Sequence, residues 1–173
     1  DASDPTNAVT NVKKLLSEHK VDALIGPTTT PAALAMLDFV AESKTPLLTT
    51  VGSSALVQPM DEKRKWVFKT TQNDDLIAEA VIEHMKKSGV QTIGFIGFND
   101  PYGENWFKVF SAMAEKAGLK IVASERYTRT DQSVTGQALK LLAAKPDAVL
   151  IAATGGPAVL PQAALQEKGY KGR

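Results

Sequence analysis

The chain contains no cysteine. That excludes disulfides, thiol catalysis and zinc–cysteine sites, and leaves the compartment open. Histidine is scarce as well, with His19 and His84 alone. Both fall in predicted helices, on or near apolar faces, and no metal-ligand spacing joins them to carboxylates. An excess of charge of either sign is also missing: 20 basic residues face 19 acidic ones. No clustered positive surface of the kind that nucleic acid demands is implied. The one dense basic stretch, Lys63-Arg64-Lys65, follows Asp61-Glu62 and reads as a solvated loop. No apolar run reaches the ~18 residues of a membrane span. The opening Asp1-Ala2-Ser3-Asp4-Pro5 has none of the features of a signal peptide and fits a trimmed secreted protein or a cytosolic one.

Chemical motifs are equally few. There is no G-x-S-x-G elbow, no phosphate-binding P-loop and no G-x-G-x-x-G opening a helix. The two glycines of "IGFIGFND" lie inside a strand, and Asp74-Asp75 sits at a helix start, where acids favour the dipole. Catalytic, metal-binding and cofactor-binding residues are therefore expected to be none.

What the chain does have is alternation. With 43% apolar residues, its 173 positions suffice for one sizeable α/β domain or two small lobes. Asp4 and Pro5 start a helix carrying Val9, Val12, Leu15 and Leu16 at helical spacing. Strands are predicted over Val21–Ile25, Pro46–Thr50, Trp66–Thr71, Thr92–Phe98, Leu119–Tyr127 and the run "DAVLIAA". Helices fall between them: one from Thr29 or Thr30, one over Asp74–Ser88 with Ile77, Val81, His84 and Met85 on a face, and one with Phe107, Phe110 and Ala114 inward. A short helix holds Val134, Ala138, Leu141 and Leu142. A last one spans Pro157–Lys168, with Pro161 near its start. Strands separated by such helices predict parallel sheets covered on both faces. Every strand then ends on the same edge, and ligands bind at that edge in open α/β sheets.

The loops at that edge are rich in hydroxyls and glycines: "GPTTTP" (26–31), "TTVGSS" (49–54), "NDPYG" (99–103) and "ATGGP" (153–157). Taken singly, Ser and Thr before a helix are ordinary caps, and Asp-Pro and Gly-Gly are ordinary turn formers. Four such loops on one edge instead predict a small-ligand site.

Several segments carry a resemblance, in order along essentially the whole chain: "DASDPTNAVTNVKKLL", "ALIGPTTTPAALAM", "TPLLTTVGSSAL", "VFKTTQNDD", "GFNDPYGENW" and "GGPAVLPQAALQEKGYKG". With these the chain resembles the type I periplasmic substrate-binding proteins of ABC importers, most closely the Leu/Ile/Val-binding family, which includes members taking aromatic acids. The resemblance implies two α/β lobes, lobe 1 over residues 1–70 and lobe 2 over 71–173, with lobe 1 incomplete. It implies a small carboxylate ligand, an ABC permease as membrane partner, a periplasmic location and no cofactor. A sensing module with the same lobes is the alternative.

Residue by residue, the resemblance implies that Thr29 or Thr30, with Ser53 and Ser54, hold the ligand carboxylate. The Gly52 carbonyl would face a ligand ammonium. Tyr102 would close the cleft from lobe 2, beside Thr154 and Gly155. The family's pattern continues before Asp1 and beyond Arg173, so the chain reads as a fragment. A lobe without its central strand is expected to cover its exposed edge by self-association or element exchange.

Overall fold

The computed structural model describes residues 1–173. Its secondary structure runs α1 (Pro5–Ser17), β1 (Leu24–Ile25), α2 (Thr30–Ser43), β2 (Leu47–Thr49), β3 (Val67–Lys69), α3 (Asp74–Lys87), β4 (Thr92–Phe98), α4 (Pro101–Lys116), β5 (Lys120–Tyr127), α5 (Thr135–Ala143), β6 (Ala148–Ala152) and α6 (Val159–Glu167). Short 3-10 turns cover Ser54–Leu56, Arg64–Trp66 and Gly156–Ala158. The chain divides into two compact units, Asp1–Asp74 and Asp75–Arg173. No helix is long and apolar enough to cross a membrane.

In the first unit the strands pair in parallel in the order β1-β2-β3. Leu24, Leu47 and Val67 stand in register and are buried with Ala8 and Val12 of α1 and Ala33, Met36, Leu37 and Val40 of α2. Side chains alternate across a strand. The next register, Ile25, Leu48 and Phe68, therefore points to the other face, where Ile25 is 87% and Phe68 53% exposed. Helices on both faces were expected, but α1 and α2 both pack on one. The strands are also shorter than predicted. Residues 21–23 add no ladder bonds, and Trp66 belongs to the preceding 3-10 turn.

The second unit is covered on both sides. Its order is β5-β4-β6, all parallel, with β4 in the centre. Odd positions Ile93 and Phe95 meet Ala78, Ile82 and Met85 of α3 and Trp106, Phe110 and Ala114 of α4. Even positions Ile96 and Phe98 meet Ala138 and Leu141 of α5 and Leu165 of α6. A strand buried on both faces reads as a continuous apolar run, as "TIGFIGF" does. At the opposite end, Asp147 ties β4 to β6, accepting from the N–H groups of Gln91 (3.0 Å) and Thr92 (2.8 Å) and from Thr92 Oγ1. The Thr92 amide, then that of Gln91 and the Thr92 hydroxyl, hold its carboxyl below the ordinary value.

Three predicted helix faces need correction. On α4 the buried stripe is Gly103, Trp106, Phe110 and Ala114, and Phe107 is only half-buried. On α3 the buried apolar residues are Ala78, Ile82 and Met85, while Ile77 and Val81 pack at the margin and His84 is exposed. On α1 they are Ala8 and Val12; Leu15 is exposed, and His19 lies past the helix end, also exposed. Neither histidine packs in the core.

Candidate functional site

Parallel pairing brings three loops of the first unit to one edge: residues 26–29 after β1, 50–53 after β2 and 70–73 after β3. They are laced together. Thr49 Oγ1 donates to the Pro27 carbonyl (2.9 Å) and accepts from the Val51 N–H (3.3 Å). The Thr70 N–H donates to the Thr49 carbonyl (3.0 Å), and Thr71 Oγ1 donates to that of Val51 (3.1 Å). Lys69 Nζ donates to the Gly52 carbonyl (2.6 Å) and to Asn73 Oδ1.

Three hydroxyls at this edge are buried and make no hydrogen bond: Thr29 Oγ1, Thr30 Oγ1 and Ser53 Oγ. Thr30 is 1% exposed and Ser53 0%. Thr29 holds the N-cap position of α2 and Ser53 that of the 3-10 turn, yet neither side chain makes the capping bond. The ordinary role of Ser and Thr before a helix is thus unfilled here. An unsatisfied buried hydroxyl costs about 1–3 kcal/mol. Two lie at the N-terminus of a 14-residue helix, whose free amides and dipole favour an anion. Ser54 opens the 3-10 turn and is half-buried.

The Gly52 carbonyl accepts from Lys69 Nζ (2.6 Å) and from the Asp74 N–H (3.0 Å). The missing side chain of Gly52 is required: a Cβ would overlap Oδ1 of Asp74, which is 2% exposed, and lie 3.4 Å from its Cγ. Gly52→Ala is therefore expected to lower the urea midpoint of the first unit, by roughly 1–3 kcal/mol in stability. An unchanged midpoint, read by tryptophan fluorescence at Trp66, would show that the Asp74 side chain yields freely.

The second unit gathers its own edge. Asp100 caps α4, its Oδ1 accepting from the N–H groups of Tyr102 (2.8 Å) and Gly103 (3.1 Å). Its Oδ2 accepts from Arg129 Nε at 2.7 Å, and Arg129 Nη1 lies 3.5 Å from Thr154 Oγ1. The guanidinium rests 4.1 Å from the Phe98 ring centroid. Arg129 thus spans from the loop after β5, past the end of β4, to that after β6. Tyr102 is half-buried, its ring 6.4 Å from that of Phe98, while Thr154 and Gly155 are exposed and Gly155 has φ +68°. Burial raises Tyr127, at the end of β5, to about 12, and its hydroxyl donates to the Pro157 carbonyl.

The predicted residues therefore form two groups, each on one sheet edge: Thr29, Thr30, Gly52, Ser53 and Ser54 in the first unit, and Tyr102, Thr154 and Gly155 in the second. Sequence reasoning missed Lys69 and Arg129. Lys69 is the last residue of an edge strand, and Arg129 follows one in "YTRTD"; nothing local marks either. A separate concavity of about 210 Å³ beside β1 is lined by Val12, Leu24, Ile25 and Pro27 among others, and by none of the three unpaired hydroxyls.

Parallel α/β units with hydroxyl-bearing loops at the strand ends are the mark of a ligand-binding protein class rather than of a particular chemistry. The chain belongs to the periplasmic binding protein family, whose model matches residues 1–173. It is similar to an extracellular ligand-binding receptor from Rhodopseudomonas palustris HaA2, at 55% identity and a TM-score of 0.96, over 99% of this chain and 48% of that one. Another extracellular ligand-binding receptor from the same strain shares 42% identity at a TM-score of 0.93, over 99% and 47%. The fold is also shared with a solute-binding protein of an R. palustris ABC transporter, solved in complex with benzoate, at 23% identity and a TM-score of 0.82, over 91% and 43%. No curated protein matches. The chain spans about half the length of the solved structures it matches.

Proposed function

We propose that this chain is the ligand-binding part of an extracytoplasmic solute-binding protein of an ABC importer, and that it captures a small carboxylate. The observation that carries this reading is the set of three buried, unpaired hydroxyls at strand ends in the first unit. A carboxylate is acceptor-only when ionised, with about four lone-pair sites. It satisfies donors that the fold leaves unmet, through charge-assisted bonds.

In this reading Thr29, Thr30, Ser53 and Ser54 anchor the carboxylate, and Tyr102, Thr154 and Gly155 meet the ligand from the second unit. The ligand then stabilises a closed arrangement of the two units through contacts with each, and a membrane permease recognises that arrangement. Family membership and the benzoate-bound relative support transport as the role and a periplasmic location.

The test is a thermal-shift panel on the intact protein with aliphatic and aromatic monocarboxylic acids, each paired with its neutral amide. A ligand at 100 times its Kd stabilises by about 2.7 kcal/mol, enough for a shift of several degrees. At least one acid should shift the melt while its amide does not. Equal shifts for acid and amide, or none for any acid, would overturn the reading.

A further inference from the structure

We infer that Arg129 is a ligand-binding residue of the second unit, and that its Nη hydrogens go to an oxygen acceptor that the ligand carries away from its carboxylate. The inference rests on the carboxylate reading and extends it to the rest of the ligand.

The guanidinium lies across the end of the central strand, where ligands bind in open parallel sheets. Strand order brings three loops together there: 99–100 after β4, 128–131 after β5 and 153–155 after β6. Arg129 touches all three. Its Nε donates to Asp100 Oδ2 at 2.7 Å, and its Nη1 lies 3.5 Å from Thr154 Oγ1. The guanidinium carbon stands 4.1 Å from the ring centroid of Phe98, the last residue of β4. Phe98 is fully buried and is backed by Tyr127, ring to ring at 5.1 Å. Tyr127 is itself fixed by its bond to the Pro157 carbonyl. The cation therefore rests on a rigid aromatic floor, an attraction in its own right, with its Nε edge held.

A guanidinium carries five N–H donors in a fixed fork. Asp100 takes the one on Nε, and Thr154 the long contact from Nη1. Asp100 is not available to grip the fork with both oxygens, because its Oδ1 caps α4 through the N–H groups of Tyr102 and Gly103. The Nη edge is thus the part of Arg129 that a ligand can use, and the side chain is 25% exposed, enough to be reached. Its pose is set before any ligand arrives, so little freedom is lost when a bond forms. The charge of Asp100 already offsets that of Arg129. The pair therefore suits a neutral oxygen, a hydroxyl or a carbonyl, as well as an anion.

The experiment is calorimetric titration of the intact protein with two matched pairs: 3-(4-hydroxyphenyl)propanoate against 3-phenylpropanoate, and 4-oxopentanoate against pentanoate. Each pair keeps the carboxylate and differs by one distal oxygen. An oxygen buried without a donor lowers affinity, and one that meets a charged donor raises it, so the sign of the difference reports the contact. Within at least one pair the oxygenated acid should bind roughly tenfold tighter or more. Arg129→Lys keeps a charge beside Asp100 but removes the fork, and it should bring that pair within about threefold. A residue that only clamps the loops, or that is engaged by the rest of the protein, would weaken both members alike. An Arg129→Lys protein that folds and keeps the full ratio therefore overturns the inference. If Arg129→Lys fails to fold, Arg129→Gln, which keeps a planar donor for Asp100, carries the same test. Parent affinities that are equal, or that favour the acid lacking the oxygen, in both pairs also overturn the inference and leave the carboxylate reading standing. If none of the four acids binds, the inference falls, and the acid-and-amide melting panel still decides the carboxylate reading.

Discussion

Gly103→Ala is expected to destabilise the second unit by roughly 3–5 kcal/mol, among the largest effects of any single substitution in the chain. Gly103 lies in the first turn of α4, where the helix closes onto the end of β4. A Cβ there would overlap the Phe98 carbonyl oxygen and lie 2.7 Å from the Phe98 nitrogen and 2.8 Å from its carbonyl carbon. These are backbone atoms of the central strand, which is hydrogen-bonded to β5 and β6 and cannot retreat without breaking a ladder. Nor can the helix lift away, because Asp100 Oδ1 holds the N–H groups of Tyr102 and Gly103. Gly136→Ala supplies the control. That glycine lies in α5, a Cβ there meets nothing within 4 Å, and Ala is expected to stabilise by about 0.5–1 kcal/mol. Urea unfolding of both variants checks the pair. Equal midpoints would show that the α4–β4 approach is looser than these distances state.

The same contact explains the motif "NDPYGE". Its Asp caps the helix, its Pro takes the first helical position and its Gly admits the close approach, so three of its residues serve the fold. The Tyr102 ring lies 6.4 Å from that of Phe98.

Much of this was legible because periodicity and end signals agree. The run 92–98 is apolar throughout and is the doubly covered central strand. Asp4 and Pro5 start α1 with the expected cap, Asp4 Oδ1 accepting from the Asn7 N–H. Side-chain bulk misled where helical phase decides. Phe107 and Phe110 suggested the inner stripe of α4, but phase puts Trp106 with Phe110, and Phe107 lies edge-on to Phe95 under the Arg126 guanidinium. In the first unit, "VDALI" has strand composition but only Leu24 and Ile25 find a partner, since pairing depends on β2 and not on propensity.

At the site, residue type showed that hydroxyls would gather at strand ends. It did not show whether those hydroxyls cap a helix or stand unpaired, because both use the same Ser and Thr before a helix. Lys69 and Arg129 were invisible for another reason. Their partners, Gly52 and Asp100, are 17 and 29 residues away in sequence, and only strand order brings them together.

Ser53→Ala is expected to move stability and binding in opposite directions. Ser53 Oγ is buried without a hydrogen bond, so removing it relieves a desolvation penalty of about 1–3 kcal/mol in the ligand-free protein. The same change deletes a donor to a carboxylate. A hydrogen bond to a charged group is worth about 1.5–3 kcal/mol, or roughly 10- to 100-fold in affinity. Thr30→Val, which keeps the side chain's shape, should behave alike. A hydroxyl kept only for the fold would show the reverse sign, with melting falling and affinity unmoved.

The most direct test is therefore a paired measurement on Ser53→Ala: its melting temperature without ligand, and its calorimetric Kd for the acid that most stabilises the parent. A variant that melts no lower than the parent and binds at least tenfold more weakly is the predicted result. A variant that melts lower and binds as tightly would contradict the claim that these strand-end hydroxyls await a carboxylate.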